Sequence, residues 1–159
     1  MLAAMIGGVH LIAMLGFSVG VLVILMASTP IISAQDLTAI NRVYLLSAIA
    51  LLVVAVAGAV LWLAVGKPPE FYSNNPVFHA KLGLFALLVV TFIYTGLKFL
   101  QLQTLQIAPA HNNVDVAPGT SADESIIVSN AVRRLQKTFI PLLLVIPVLA
   151  WMMARGIGY

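Results

Sequence analysis

The sequence predicts an all-α integral membrane protein, a four-helix bundle forming a single transmembrane domain over residues 1–159. Three observations predict it. Of the 159 residues 62% are hydrophobic and 8% charged, against roughly 45–50% and about 25% in an ordinary soluble domain. The apolar residues fall into four blocks, each long enough to cross a hydrocarbon core of about 30 Å, instead of recurring on one face only. Prolines, glycines and short polar stretches separate the blocks where helices stop. The lipid bilayer is therefore the expected solvent and the first partner.

Span one covers about residues 2–27 and ends before Pro30, which has no amide donor and disfavours helix at the residue before it. It lacks a basic leader and its apolar length exceeds the roughly 7–15 residues of a signal core, so it reads as a retained span. Ser33 and Asp36 offer N-caps for span two, about 41–65, which Gly66 and the pair Pro68-Pro69 stop. Span three, about 77–102, opens on Asn75 as N-cap with Pro76 at the first helical position. Residues 103–120, containing Pro109, Asn112-Asn113 and Pro118-Gly119, read as the one true polar loop. Ser121 and Glu124 have capping-box spacing, and Ile126, Ile127, Val128, Ala131, Val132 and Leu135 follow with helical periodicity. The last helix is thus expected to begin before the bilayer and to cross it over about 135–157. Pro141 and Pro147 lie inside it and are expected to kink it.

The formal net charge is +3. The cations flank apolar blocks instead of forming a patch, which points to orientation in a membrane and away from nucleic acid. With no cysteine, disulfides, iron–sulfur clusters and thiolate metal sites are excluded. No phosphate loop, dinucleotide fingerprint or nucleophile elbow is present. Arg42, Lys98, Arg133, Arg134 and Lys137 belong to one membrane face and Lys67, Lys81 and Arg155 to the other. The richer face is expected in the cytoplasm, with both termini outside.

An ionisable group inside a span costs roughly 2.5–3.5 kcal/mol on insertion scales, so each one needs a reason. The candidates are His10 in span one, His79 and Lys81 at the start of span three, and Arg155 near the end of span four. His79 lies 19 residues from Lys98, His10 lies 17 from Ala27 and Arg155 lies 18 from Lys137. At a rise of about 1.5 Å per residue, all three fall at one level, about 25–29 Å from the cytoplasmic end. Two histidines from parallel helices at one depth suit axial ligation of one haem iron, with Arg155, Lys81 or Lys67 beside its propionates. Gly7 and Gly83 leave room for a flat macrocycle, and Met14, one turn below His10, is an alternative axial ligand.

Plainer roles compete with these. A histidine near a helix start can bond a carbonyl or a headgroup, Lys81 and Arg155 can anchor by snorkelling, and His111 in the polar loop is expected to be solvated. Gly16 and Gly20 form a small-xxx-small pair for helix packing. Trp62 and Trp151 fit an interfacial belt.

The stretch Asn75-Pro-Val-Phe-His-Ala-Lys-Leu82, following Phe71-Tyr72, resembles the third-helix motif of an uncharacterised bacterial family of small four-span membrane proteins. The resemblance extends to His10, to Arg42 and to the closing Met153-Ala-Arg-Gly-Ile-Gly158, and it implies architecture and a bacterial plasma-membrane location. Phe78-His-Ala-Lys-Leu82 is also similar to the helix motif of the HemJ-type protoporphyrinogen oxidases, four-helix membrane proteins that bind haem b. What that resemblance implies is a functional core at His10, His79 and Lys81. Met14-Leu-Gly-Phe17 stands where that family has aromatic and basic residues.

The expected function is that of a haem b-binding membrane protein in electron transfer or porphyrinogen-oxidase-like redox chemistry. His10 and His79 would bind iron, and Lys81 and Arg155 would neutralise propionates. The alternative is a non-catalytic small subunit of a larger membrane complex, and a homodimer is the first expectation for assembly. A transporter would need a polar pathway, which span two, without an ionisable residue between Arg42 and Lys67, does not offer.

Overall fold

Helix α1 (Leu2–Ala27) is apolar along its length, carries no side-chain cap and ends just before Pro30. The computed structural model describes residues 1–65, 67–110 and 126–157. After α1 the chain turns through a two-residue strand, β1 (Ile31–Ile32), into α2 (Ala34–Val60). Ser33 caps α2 reciprocally with Asp36: the Asp36 amide donates to the Ser33 hydroxyl at 3.1 Å, and the Ser33 amide donates to the Asp36 carboxylate at 3.4 Å. Two otherwise orphaned amides are thus satisfied at the membrane edge. The helix continues as a wider π-helical turn, Leu61–Val65.

A short helix, α3 (Pro69–Ser73), leads into α4 (Pro76–Ala110). The Asn75 side-chain oxygen accepts from the Val77 amide at 2.9 Å, and Pro76 occupies the first helical position. At 35 residues, α4 is about 52 Å long by its rise, well beyond a hydrocarbon core of about 30 Å. Its helix therefore does not end near Leu102, and residues 103–110 of the expected loop are helical. Polar Gln103 and Thr104 continue the helix, because glutamine sustains helix well and the amide ladder needs no apolar side chains. The rest of that loop, with His111, lies outside the described residues, as do Ser121 and Glu124.

Ile126 and Ile127, expected as helix, instead form strand β2 (Ile126–Ile127) and pair antiparallel with β1, Ile31 against Ile127 and Ile32 against Ile126. The Val128 amide extends the pairing by donating to the Pro30 carbonyl at 3.0 Å. Consecutive β-branched residues favour extended backbone when a partner strand is at hand. Ile32, Ile126 and Val128 turn inward and Ile31 and Ile127 outward. The last span then begins with α5 (Asn130–Lys137), where the Ser129 hydroxyl accepts from the Ala131 amide, and continues after a break at Thr138 as α6 (Phe139–Ala154). Pro141 explains the break. It cannot donate to the Lys137 carbonyl four residues back, so the ladder restarts there with Pro141 in the first turn of α6, and Pro147 lies in the helix interior.

Four helices are long and apolar enough to cross a membrane, Leu2–Ala27, Ala34–Val65, Pro76–Leu105 and Asn130–Ala154, so the chain is an all-α membrane bundle. The most extensive contact is α1 with α2, while α4 packs against α2 and α6. Gly20 makes the first pairing close: a Cβ there would collide with the Ser47 hydroxyl on α2, whereas its expected partner Gly16 has open space around it. Aromatic rings fill the centre. Phe92 meets Phe17 and Tyr44 at centroid distances of 5.3 Å and Phe139 at 6.3 Å, and Tyr44 meets Phe99 at 5.5 Å. Leucines, valines and isoleucines on the outer faces are exposed, as lipid contact requires.

Buried amides and hydroxyls join the helices at one end of this core. The Gln136 amide nitrogen donates to the Tyr44 hydroxyl at 3.0 Å and to the Ser28 hydroxyl at 3.2 Å. The Asn41 amide nitrogen donates to the Gln103 side-chain oxygen at 2.6 Å and to the Phe99 carbonyl at 3.4 Å.

Candidate functional site

The opposite end is where α1 begins, α2 finishes, α4 begins and α6 finishes, and it gathers the candidate residues. Phe78 on α4 stacks against Trp62 of the π-helical turn at 5.0 Å and against Tyr72 of α3 at 5.4 Å. Asn75, fully buried, reaches the Ile157 carbonyl with its amide nitrogen at 3.5 Å and so ties the start of α4 to the end of α6.

His10 is half-buried between α1 and α2. Its Nδ1 lies 3.0 Å from the Val54 carbonyl. A carbonyl has no proton to give, so Nδ1 carries the proton and donates it, which in the neutral ring leaves Nε2 with its lone pair. Gly58, one turn beyond Val54, permits the approach, since a Cβ there would stand 3.2 Å from His10 Cε1. This is how proteins orient an imidazole for a metal: the second nitrogen is fixed by a carbonyl and the first is left available.

Lys81 is one turn beyond the inward-facing Phe78 and is half-buried. The start of α1 and the start of α4 place His10 and Lys81 at the same end of the bundle. His79 is turned differently. One position from Phe78, it is exposed, its Nε2 donates to the Ser73 carbonyl at 2.8 Å, and its ring lies edge-on to Phe78 at 5.8 Å. Arg155 is exposed and stacks its guanidinium on Trp151 at 4.8 Å, and Lys67 lies over the Phe71 ring at 3.9 Å. Met14 sits one helical turn from His10, half-buried, with its carbonyl accepting from the Ser18 hydroxyl. Cβ atoms at Gly7 and Gly83 would meet nothing within 4 Å, so both flanks of the site are open.

The residue that sequence reasoning missed is Trp62. Read as a belt residue, it instead packs inward, and its indole N–H is buried without a hydrogen-bond partner among the described residues. Its position one turn after Gly58, on the α2 face that receives His10, was the available signal. Among the described residues no three His, Asp or Glu side chains gather to hold a bare metal ion. A metal at His10 would therefore need most of its ligands from elsewhere, as a macrocycle provides.

No curated protein and no solved structure matches the chain. One family model does, over residues 2–158, and with its four spanning helices the chain belongs to that family, described as predicted membrane protein (DUF2214).

Proposed function

We propose that the protein binds haem b within the membrane through His10 and serves in electron transfer or porphyrinogen-oxidase-like redox chemistry. The observation that carries this reading is the His10 ring itself: Nδ1 is held by the Val54 carbonyl at 3.0 Å inside a span, leaving Nε2 for a ligand. The donor set suits the group. Neutral imidazole is a good ligand for haem iron, the Lys81 cation stands at the same end of the bundle for a propionate, and the open flanks at Gly7 and Gly83 leave room for an apolar ring edge toward lipid. When bound, haem would supply a one-electron redox centre. The chain would hold and orient it, and exclude water from it.

In this reading His10 is the anchored ligand and His79 the exchangeable one. The His79 bond to Ser73 is exposed and contributes about 1 kcal/mol, less than an iron bond replacing it. Arg155, stacked on Trp151 at the same end, is the second candidate for a propionate. Reduced-minus-oxidised spectra of protein purified from haem-replete cells test the proposal. Sharp haem b bands at stoichiometric loading are expected, and a featureless spectrum would overturn it.

The chain is further proposed to work as a homodimer or as a small subunit of a larger membrane complex, because Gly16 presents an unfilled small-residue notch on the outer face of α1. Native mass measurement from nanodiscs is expected to give twice the chain mass or a heteromer. A bare monomer would remove this part of the reading.

A further inference from the structure

Two N–H groups at the His10 end have no acceptor among the described residues. The Trp62 indole nitrogen is buried and unpartnered. Lys81 is half-buried, and its ammonium has no hydrogen bond or counter-charge among the described residues. Both border Phe78, Trp62 through its ring at 5.0 Å and Lys81 from the next turn of the same face. His10 rests on Gly58, one turn from Trp62. The acids of the described residues do not answer the Lys81 charge. Asp36 is committed to Ser33 at the far end of the bundle, and Glu70 is exposed on α3. A cation and a directed donor left unpaired inside a membrane span are costly, and they define the chemistry that would relieve the cost.

We propose that Lys81 and Trp62 receive a carboxylate carried on a lipid-soluble body, the ammonium balancing its charge and the indole N–H bonding one oxygen. One positive charge and two differently placed donors match a monoanion with two oxygens, whereas a phosphate calls for denser charge and planar guanidinium donors. The body lies in lipid, since Leu82 and Gly83 beside Lys81 face outward and a Cβ at Gly83 meets nothing. A fatty acid and a porphyrin propionate share this head. The inference concerns the acid and not the iron, so it stands apart from His10 ligation.

The test uses the full chain in phosphatidylcholine nanodiscs in mildly alkaline buffer, with Trp151→Phe so that Trp62 is the single indole emitter. Oleate is titrated against methyl oleate by Trp62 emission, and iron-free protoporphyrin against its dimethyl ester by porphyrin fluorescence. At least one acid is expected to bind roughly tenfold tighter than its ester, with Lys81→Met removing that preference and Lys81→Arg retaining most of it. Trp62→Phe, which keeps the ring and deletes the donor, is read by porphyrin fluorescence and, since no indole remains, by retention of radiolabelled oleate; it is expected to weaken the acid by about threefold to tenfold and leave the ester unchanged. Preference for oleate alone identifies a lipid acid, and preference for the porphyrin acid alone identifies a macrocycle. Equal binding of acid and ester in both pairs, or a preference that survives Lys81→Met, overturns the proposal. Acid preference without haem loading would overturn the iron site and leave this one standing. Haem loading without acid preference would do the reverse.

Discussion

The Gln136 side chain on α5 donates to the Tyr44 hydroxyl on α2 across 3.0 Å, and the same nitrogen reaches Ser28 at the end of α1. One amide thereby holds three of the four spans together in the protein interior. Its replacement by leucine, close in size, should leave the fold intact and remove the donor from Tyr44 and Ser28. The expected cost is about 1 kcal/mol, in the range of interhelical hydrogen bonds in membranes. Unfolding of Gln136→Leu in mixed micelles by a denaturing detergent checks it, and stability equal to the parent would show that the amide contributes only specificity.

Gly20 and Ser47 should be energetically coupled. Gly20→Ala places a methyl group where the Ser47 hydroxyl lies and is expected to destabilise by about 1 kcal/mol. Ser47→Ala alone removes a buried hydroxyl that has no partner among the described residues and should be close to neutral. The double variant should recover most of the loss. A double-mutant cycle with no coupling term would contradict the close approach of α1 and α2 at this level.

The two histidines should behave unequally. His10→Ala is expected to abolish the haem spectrum, because His10 is half-buried between helices with its ring held by a carbonyl, whereas His79, also held by a carbonyl, is exposed. His79→Ala should change the spin state of bound haem more than its amount, since that ring must first leave Ser73. His111→Ala should change nothing. Unaltered low-spin spectra in both single variants would remove both residues from the iron site.

Orientation follows from the charged ends. Arg42, Lys98, Arg133, Arg134 and Lys137 cluster where α2 begins, where α4 leaves the apolar zone and where α5 lies, and they are expected in the cytoplasm. A reporter fused near residue 112 should be active only as a cytoplasmic marker, and one fused at Tyr159 only as an external marker. The opposite pattern would invert the bundle.

The four spans were legible because hydrophobic length in lipid is close to a sufficient signal, and His10 stood out as an ionisable residue in an apolar run, though the sequence could not show that the Val54 carbonyl would receive its ring. The end of α4 was not. Polar residues after Leu102 mark where lipid stops, and nothing local says that the amide ladder stops with it. The pairing of Ile31–Ile32 with Ile126–Ile127 joins segments far apart in sequence, and local periodicity cannot report such a partner. Lys81 and Trp62 divide along the same line. The lysine is conspicuous in an apolar span, while an indole near a helix end suits the belt so well that only its tertiary neighbour Phe78 reveals it turned inward.

The pairing of β1 with β2 and the Gln136 contacts all lie at one end of the bundle, whereas at the His10 end no hydrogen bond joins α1 to α4 among the described residues. At that end α1 is held to α2, through His10 and the Val54 carbonyl at 3.0 Å, and not to α4, so a rocking motion there would carry α1 and α2 together. For α1, with 26 residues and a length of about 39 Å, a tilt of 5° about the fastened end carries the His10 end sideways by roughly 3 Å. Such a displacement, with α2 following through the His10 bond, would widen the seam between α1 and α4 while the Gln136 contacts near the pivot stay in place, and a flat or chain-like guest would enter it sideways from the bilayer.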